Sequence, residues 1–269
     1  MNVCILGNGL TGLTLAKALV NQGICVDVFS SKNKSKKDIN RTLGISKLNL
    51  EFFNKEIFNI EKLIWDIKKI EIFTDSFKHE KILNFENKDK PLFSMIRNDY
   101  LIDFLFLQLK KEKLCKFKKS PINIDSIKKN YNLILNCDYS NEITKKFFFK
   151  QIKKNYKSFA YISIIKHFKT ENNKAVQFFT KRGPLAFLPI SETETSIVYS
   201  VKGSEKFDLK DMIKKYNISY KIKDISDPSK FKLSSSNLRK YYHNNILAFG
   251  DLLHKIHPLA GQGFNMILR

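Results

Sequence analysis

The sequence predicts an α/β fold in which a parallel-sheet domain is interleaved with a mainly antiparallel β domain. Three observations carry that expectation. The chain opens on an apolar run, Asn2-Val3-Cys4-Ile5-Leu6, then a glycine-rich turn, then an apolar pattern of helical period from Leu10 to Gln22 with Leu13, Ala16, Leu19 and Val20 near one face. Gly23 stops that helix and Ile24 to Phe29 forms the next apolar run, so residues 2–29 read as one βαβ unit. Farther on, Ile70 to Phe73 and Ile82 to Phe85 alternate as antiparallel strands do, and the stretch from Phe159 to Ser200 is strand-rich, with Pro184 and Pro189 punctuating it.

Between these regions, Tyr100 to Leu109 has helical periodicity, while Tyr131 to Cys137 returns to a buried-strand pattern, as does Ile246 to Phe249. The pattern assigns 1–60, 96–150 and 235–269 to the first domain and 61–95 and 151–234 to the second. A chain of 269 residues with 43% hydrophobic composition has ample material for such cores.

The formal charge of +22 points at face value to a polyanionic partner. Of the 48 basic residues, however, only Arg41, Arg97, Arg182, Arg239 and Arg269 are arginine, and the lysines are spread along the chain. Nucleic-acid readers rely on the arginine fork, so a solvated basic surface is expected rather than a nucleic-acid site. Cys4, Cys25, Cys115 and Cys137 lack metal or CxxC spacing, and three of them sit in apolar runs where cysteine acts as a small hydrophobe. Reduced thiols, with no basic leader or cleavage site after Met1, suggest a cytoplasmic protein. No apolar run approaches the ~18 residues that a membrane span needs.

Gly7-Asn8-Gly9-Leu10-Thr11-Gly12 lies between the first strand and its helix, the context that a dinucleotide fingerprint requires. Gly7 permits the tight turn, Gly9 lets a diphosphate approach the backbone, and Gly12 allows close helix–strand packing. The second strand ends near Ser30, where an acid would ordinarily meet the ribose hydroxyls. Ser30, Ser31 and Lys32 could instead cradle a 2′-phosphate, favouring NADP, or Ser30 could make a weaker contact to the ribose of FAD.

A second motif follows the strand at Ile246: Gly250-Asp251, then His254, then His257-Pro258-Leu259-Ala260-Gly261-Gln262-Gly263-Phe264-Asn265. His254 and His257 have no third ligand at metal spacing, and no metal site is expected. The motif resembles the second FAD-binding motif of class A flavin monooxygenases, the p-hydroxybenzoate-hydroxylase-like superfamily. Within it the chain looks most like the hydroxylases of ubiquinone biosynthesis: Arg182 to Pro189 is similar to their GPLALLP-type segment, and Arg41 to Ser46 to their arginine stretch.

The resemblance implies a Rossmann-like FAD-binding domain and hydroxylation of a prenylated phenol with NAD(P)H and O2. It implies FAD contacts at Gly7, Gly9, Leu10, Thr11, Gly12, Ser30, Arg41 and Arg97. Asp251 would meet the ribityl or diphosphate region, Pro258 would lie near the isoalloxazine, and the amides around Gly261 to Gly263, with Asn265, would face its pyrimidine end. No side-chain acid or base is assigned. Asn136-Cys137-Asp138-Tyr139 stands where the family has a Gly-Ala-Asp-Gly segment that serves FAD and NAD(P)H, so Asp138 is carried over while Tyr139 replaces a glycine. An apolar patch with a basic surface would suit peripheral contact with the inner face of a membrane, or a place in a quinone-biosynthesis complex. Two other classes stay open: an FAD-binding but catalytically incompetent partner subunit or fragment, which Tyr139 and Ser30 favour, and a basic interaction protein without cofactor. The family continues with further helices beyond the terminal motif, and residues 263–269 are too short for an independently stable helix.

Overall fold

The computed structural model describes residues 1–30, 40–75, 80–119, 124–203, 207–256 and 262–268. In chain order the first half comprises β1 (Asn2–Leu6), α1 (Leu10–Asn21), β2 (Cys25–Phe29), β3 (Thr42–Ser46), α2 (Lys47–Glu56), β4 (Trp65–Ile67), β5 (Lys69–Thr74), β6 (Lys81–Glu86), β7 (Phe93–Arg97), α3 (Asn98–Leu109), β8 (Cys115–Lys118), α4 (Ile124–Asn130) and β9 (Leu133–Asn136). The second half comprises α5 (Glu142–Phe147), β10 (Gln151–His167), β11 (Lys174–Thr180), β12 (Gly183–Pro189), β13 (Glu194–Lys202), α6 (Leu209–Tyr216), β14 (Ile222–Ile225), β15 (Ser229–Leu238), β16 (Tyr242–His243), β17 (Ile246–Ala248), β18 (His254–Lys255) and α7 (Gln262–Ile267).

The expected βαβ unit is present, and its strands are apolar apart from Asn2 and Asp27 because the sheet is covered on both faces. β1 is central in a six-stranded sheet of order β16-β17-β9-β1-β2-β8. Its pairings with β2 and β9 are parallel, as are β9 with β17 and β2 with β8. Alternation sends Val3 and Ile5 into one core with Leu13 and Ala16 of α1, Phe53 of α2 and Leu101 and Leu105 of α3. Cys4 and Leu6 enter the opposite core with Ile134, Ile143, Phe148 and Ile246.

The second unit is a nine-stranded sheet whose main path runs β18-β15-β10-β13-β12-β11-β5-β6, with β14 paired to β10. The expected Ile70 and Ile82 strands are β5 and β6 and pair antiparallel. Pro184 and Pro189 fall at the two ends of one strand, β12. Ser229–Leu238 runs unbroken across position 235, and β18 returns to pair with it. A third sheet, β3-β7-β4, lies alongside. Among the described residues its ties to the large sheet include the Thr42 and Ser196 hydroxyls at 2.8 Å, the Arg97 guanidinium 3.5 Å from Glu194, and the packing of Ile67 and Met95 on Ala175.

One expectation about cysteine is corrected. Cys25, inside an apolar run, is exposed, because it heads β2 opposite Asn2 at the sheet's outer end, whereas Cys115, flanked by Lys116, is buried beside Val26. Burial, aided by Asp27, pushes the Cys4 thiol up to about 12 and the Cys115 thiol to about 11, so both are protonated packing groups. Among the described residues no helix is long and apolar enough to cross a membrane.

The large sheet holds its buried charge by concentration. Glu71, 4% exposed on β5, accepts Lys81 at 2.6 Å and lies 2.9 Å from Lys174 and 3.6 Å from Lys69. Burial alone would raise its pKa, but the hydrogen bonds from Lys81 and Lys174 and their charges lower it to about 2. A carboxylate depressed from 4.5 stabilises the fold fully above 4.5 and loses that contribution as pH falls toward 2. Glu71→Gln is therefore expected to cost about 1–3 kcal/mol near neutrality. Thermal melts should show the gap to wild type closing across that acid window, and a gap independent of pH would refute the assignment.

Candidate functional site

Parallel α/β sheets bind ligands beyond the carboxyl ends of their strands, where the strand order reverses direction. Here the chain proceeds from β1 to β2 on one side and later fills β9 and β17 on the other, so the reversal lies between β1 and β9. The loops leaving those strands carry Gly7-Asn8-Gly9 and Cys137-Asp138-Tyr139. They are tied together: Cys137 N donates to Leu6 O at 2.9 Å, and Phe249 N, leaving β17, donates to Asn136 O at 2.9 Å.

Gly7 adopts φ +106, a conformation that suits glycine, and a Cβ there would stand 3.4 Å from Asp138. Gly12 is demanded by packing rather than by φ: a Cβ at this position would lie 2.0 Å from the Gly7 carbonyl oxygen. At Gly9, by contrast, a Cβ would meet nothing within 4 Å, so the turn is open there. The first amide of α1 with an intrahelical partner is Leu13 N, donating to Gly9 O at 3.0 Å. The helix start has no side-chain cap hydrogen bond and no acid in its first turn. Such a terminus favours an anion by roughly 0.3–1 kcal/mol at an exposed site.

The terminal motif reaches the same place through a contact that no spacing argument foresees. Gly250, at φ +66, begins the turn Gly250–Leu252, and a Cβ on it would lie 2.4 Å from Thr11 Cγ2. Asp251 follows Gly250 directly in that turn. Gly250 belongs among the site-forming residues, and its signal was visible in the Gly-Asp pair closing the strand at Ile246.

Asp138 is held as a loop anchor. Its carboxylate accepts Ser140 N and Oγ, both at 2.8 Å, and its carbonyl accepts Thr144 Oγ1 at 2.6 Å. Buried Asn136 supports it, accepting Asp138 N at 3.2 Å and Asn141 Nδ2 at 2.7 Å. Tyr139, 42% exposed, follows directly. Partial burial and then the charge of Asp251 push its phenol up, against the pull of Arg41.

Arg41 is exposed just before β3, and Ser30 follows β2 with its amide donating to Lys118 O at 3.3 Å. The acid of β2, Asp27, is committed elsewhere, accepting Lys118 at 2.6 Å and the Tyr131 hydroxyl at 2.5 Å. Arg97 is engaged within the protein: Nε and Nη2 donate to Asp99 at 3.3 and 3.1 Å, and the guanidinium lies 4.4 Å over the Tyr100 ring. Burial opposes its charge, yet Asp99 and Glu194 hold its pKa above the ordinary value. Asn265 clamps α7 to β3 and α2. Its side-chain oxygen accepts Ser46 N at 3.0 Å and Asn49 Nδ2 at 2.8 Å, and its amide donates to Gly44 O at 2.7 Å. Phe264 beside it packs on Phe53 with ring centroids 6.1 Å apart, so tertiary contact holds a helix too short to persist alone. Asn49, the clamp's other half, had no signal in the sequence. Gly263 is half-buried with open space at its Cβ position, whereas Pro258 and Gly261, with Ser31, Lys32 and His257, lie outside the described residues.

No family model matches the chain. It is similar to the ubiquinone biosynthesis monooxygenase COQ6, mitochondrial, of Danio rerio, with 26% identity covering 43% of this chain and 33% of that protein. The Homo sapiens protein of the same name is 29% identical over 36% of this chain and 30% of its own length. The match thus spans about a third of these relatives. Among solved structures, the tetrameric form of 2-methyl-3-hydroxypyridine-5-carboxylic acid oxygenase superposes with a TM-score of 0.77 at 14% identity, covering 99% of this chain and 79% of that one. PqsL of P. aeruginosa in complex with 2-aminobenzoylacetate gives 0.77 at 15%, covering 100% and 83%. The p-nitrophenol 4-monooxygenase PnpA of Pseudomonas putida gives 0.78 at 10%, covering 99% and 76%. The fold is that of these oxygenases, and the likeness to ubiquinone-biosynthesis monooxygenases read from the motifs is found in sequence as well.

The glycine contacts make a direct prediction. Gly12→Ala must displace the Gly7 carbonyl and Gly250→Ala must displace Thr11, each at a cost of about 1–3 kcal/mol by overpacking. Thermal denaturation should register both losses, while Gly9→Ala, with open space, should melt like wild type. Equal stability for all three would show that the strand ends do not pack as described.

Proposed function

We propose that the protein is an FAD-dependent monooxygenase that hydroxylates a prenylated phenol in ubiquinone biosynthesis, with NAD(P)H as reductant and O2 as co-substrate. The observation that carries this reading is the meeting of the Gly7–Gly12 turn with the Gly250–Leu252 turn at the point where strand order reverses. A second motif brought against the first fits FAD, which uses both in the family the chain resembles, better than NADP, which needs only the first.

In this reading Gly7, Gly9, Leu10, Thr11 and Gly12 present the diphosphate cradle, and Ser30 offers a hydroxyl to the ribose. Asp251 accepts from the sugar-like chain, and Gly263 with Pro258 and Gly261 approaches the ring system. FAD, when bound, supplies the electron-transfer and oxygen chemistry. The chain's own task is to orient it, to bring an electron-rich ring close and to exclude water. Arg97, paired with Asp99 and Glu194, acts through the placement of Arg41 and β3 rather than as a free cation: Asn98 N donates to Arg41 O at 3.0 Å. Asn265 and Asp138 likewise serve by holding the segments that touch the cofactor. The residues of 1–60, 96–150 and 235–269 form the cofactor side and those of 61–95 and 151–234 the substrate side.

The proposed setting is cytoplasmic, with peripheral contact at a membrane that holds the prenylated substrate. A second reading, an FAD-binding but catalytically incompetent partner subunit or fragment, draws on Tyr139 and on the absence of an acid at Ser30.

The two separate in solution. The purified protein, supplied with FAD, is expected to acquire bound-flavin absorbance, and Asp251→Ala to weaken that binding by roughly tenfold, about 1.4 kcal/mol. A prenylated phenol should then stimulate NAD(P)H oxidation and yield a hydroxylated product. Flavin binding without product would favour the incompetent partner, and absence of any bound flavin would refute both.

A further inference from the structure

The Phe147-Phe148-Phe149 triplet splits in the fold. Phe148 is buried in the core with Ile143 and Ile246, whereas Phe149 is 63% exposed. Phe147 stacks on His243 of the edge strand β16, with ring centroids 4.0 Å apart and planes 14° from parallel. Three residues farther on, Lys150 O accepts Arg239 N at 3.0 Å. Tyr241, 55% exposed, lies between these two contacts on one segment, as Phe149 does on the other. The hairpin that carries His243 is braced by Asn245, whose Nδ2 donates to Lys128 O at 3.3 Å and to Tyr131 O at 2.8 Å. Two exposed aromatic rings are thus held at one sheet edge by backbone that is tied on both sides.

Cations crowd the same edge. Lys128 Nζ lies 4.5 Å and Lys146 Nζ 5.4 Å from the Phe147 ring centroid, and Lys150 Nζ lies 5.9 Å from that of Phe149. Residues 145–155 and 229–249, which meet here, contain no Asp or Glu. Burial first, and then the charges of Lys128, Lys240 and Lys146, hold the His243 imidazole below its usual pKa. Aromatic rings interleaved with ammonium groups suit the interface of an anionic bilayer, where rings lodge at headgroup level and lysines meet the lipid charge. A nucleic acid would stack its bases on bare ring faces, but Phe147 is covered by His243 and approached by two ammonium groups.

We propose that the edge built by Phe149, Tyr241, Lys128, Lys146 and Lys240 is the surface by which this protein docks on an anionic lipid bilayer. The inference rests on the peripheral membrane setting proposed above and deepens it by naming the surface; it is independent of what the crevice binds. The lysines supply attraction over about a Debye length and the two rings supply burial at contact, so both kinds of group are needed.

The test is co-sedimentation of the full chain, near physiological ionic strength, with vesicles of phosphatidylcholine alone and of phosphatidylcholine mixed with phosphatidylglycerol. Wild type is expected to bind the mixed vesicles and not the neutral ones. Lys128→Glu/Lys146→Glu is expected to bind at least about tenfold more weakly, and Phe149→Ala/Tyr241→Ala at least about threefold. Lys88→Glu/Lys90→Glu makes the same charge change on the exposed turn between β6 and β7 and is expected to bind like wild type. Circular dichroism confirms folding; where a double variant does not fold, Lys128→Gln or Phe149→Ala alone carries the comparison. Equal losses at Lys88/Lys90 and at Lys128/Lys146 assign binding to net charge and overturn the inference. Unchanged binding by the edge variants also overturns it and leaves the membrane setting standing. Wild type that binds neither vesicle overturns the inference together with that setting, with the flavin reading untouched. Wild type that ignores vesicles but binds duplex DNA through Lys128 and Lys146 overturns it in favour of a nucleic-acid surface.

Discussion

The contact on which the site depends is the approach of α1 to the turn that precedes it. The carbonyl oxygen of Gly7 occupies the position that a side chain at residue 12 would need, 2.0 Å from its Cβ. Any larger residue there would tilt the helix away from β1 and turn its free amides from the crevice. The same packing lets Leu13 and Ala16 reach the core shared with Val3 and Ile5. Stability of the sheet and geometry of the candidate anion site thus have one cause.

Around that contact the remaining segments are placed by polar ties of long sequence separation. Asn265 is bonded to Gly44, Ser46 and Asn49, and Asn40 Nδ2 donates to Asp227 O at 2.7 Å. Each joins a chain end or loop to an element roughly 200 residues away in sequence, and each satisfies groups that burial would otherwise penalise. Charge follows the same logic. The protein is strongly basic, and among the described residues several of its least exposed cations are paired: Lys17 lies 2.6 Å from Glu112 and Arg97 is bonded to Asp99, while Glu71 draws three lysines around a single carboxylate. The excess lysines remain where water solvates them.

Much of the site was legible because glycine and strand patterns are local. The turn Gly7 to Gly12 and the pair Gly250-Asp251 follow apolar strands directly, and backbone requirements fixed their chemistry. Arg97 and Asn265 were read as cofactor contacts from the resemblance, and the fold also gives both protein partners. Asp99 is near enough in sequence to suggest a pair, but Glu194 and Asn49 come from other elements. Tyr139 was visible as a departure from a glycine, while the company it keeps, Arg41 and Asp251, was not.

The sequence by itself determined the α/β class, the βαβ opening, the strand-rich second unit and the two glycine motifs, because hydrophobic period and glycine conformation act over a few residues. Tertiary structure decided that β9 and β17 complete the sheet on the side of β1 away from β2, and so where strand order reverses. It decided that Cys115 rather than Cys25 is buried, and that the two motifs touch. These outcomes depend on contacts between segments far apart in the chain, whose partners are selected by mutual burial and hydrogen-bond satisfaction rather than by any local pattern.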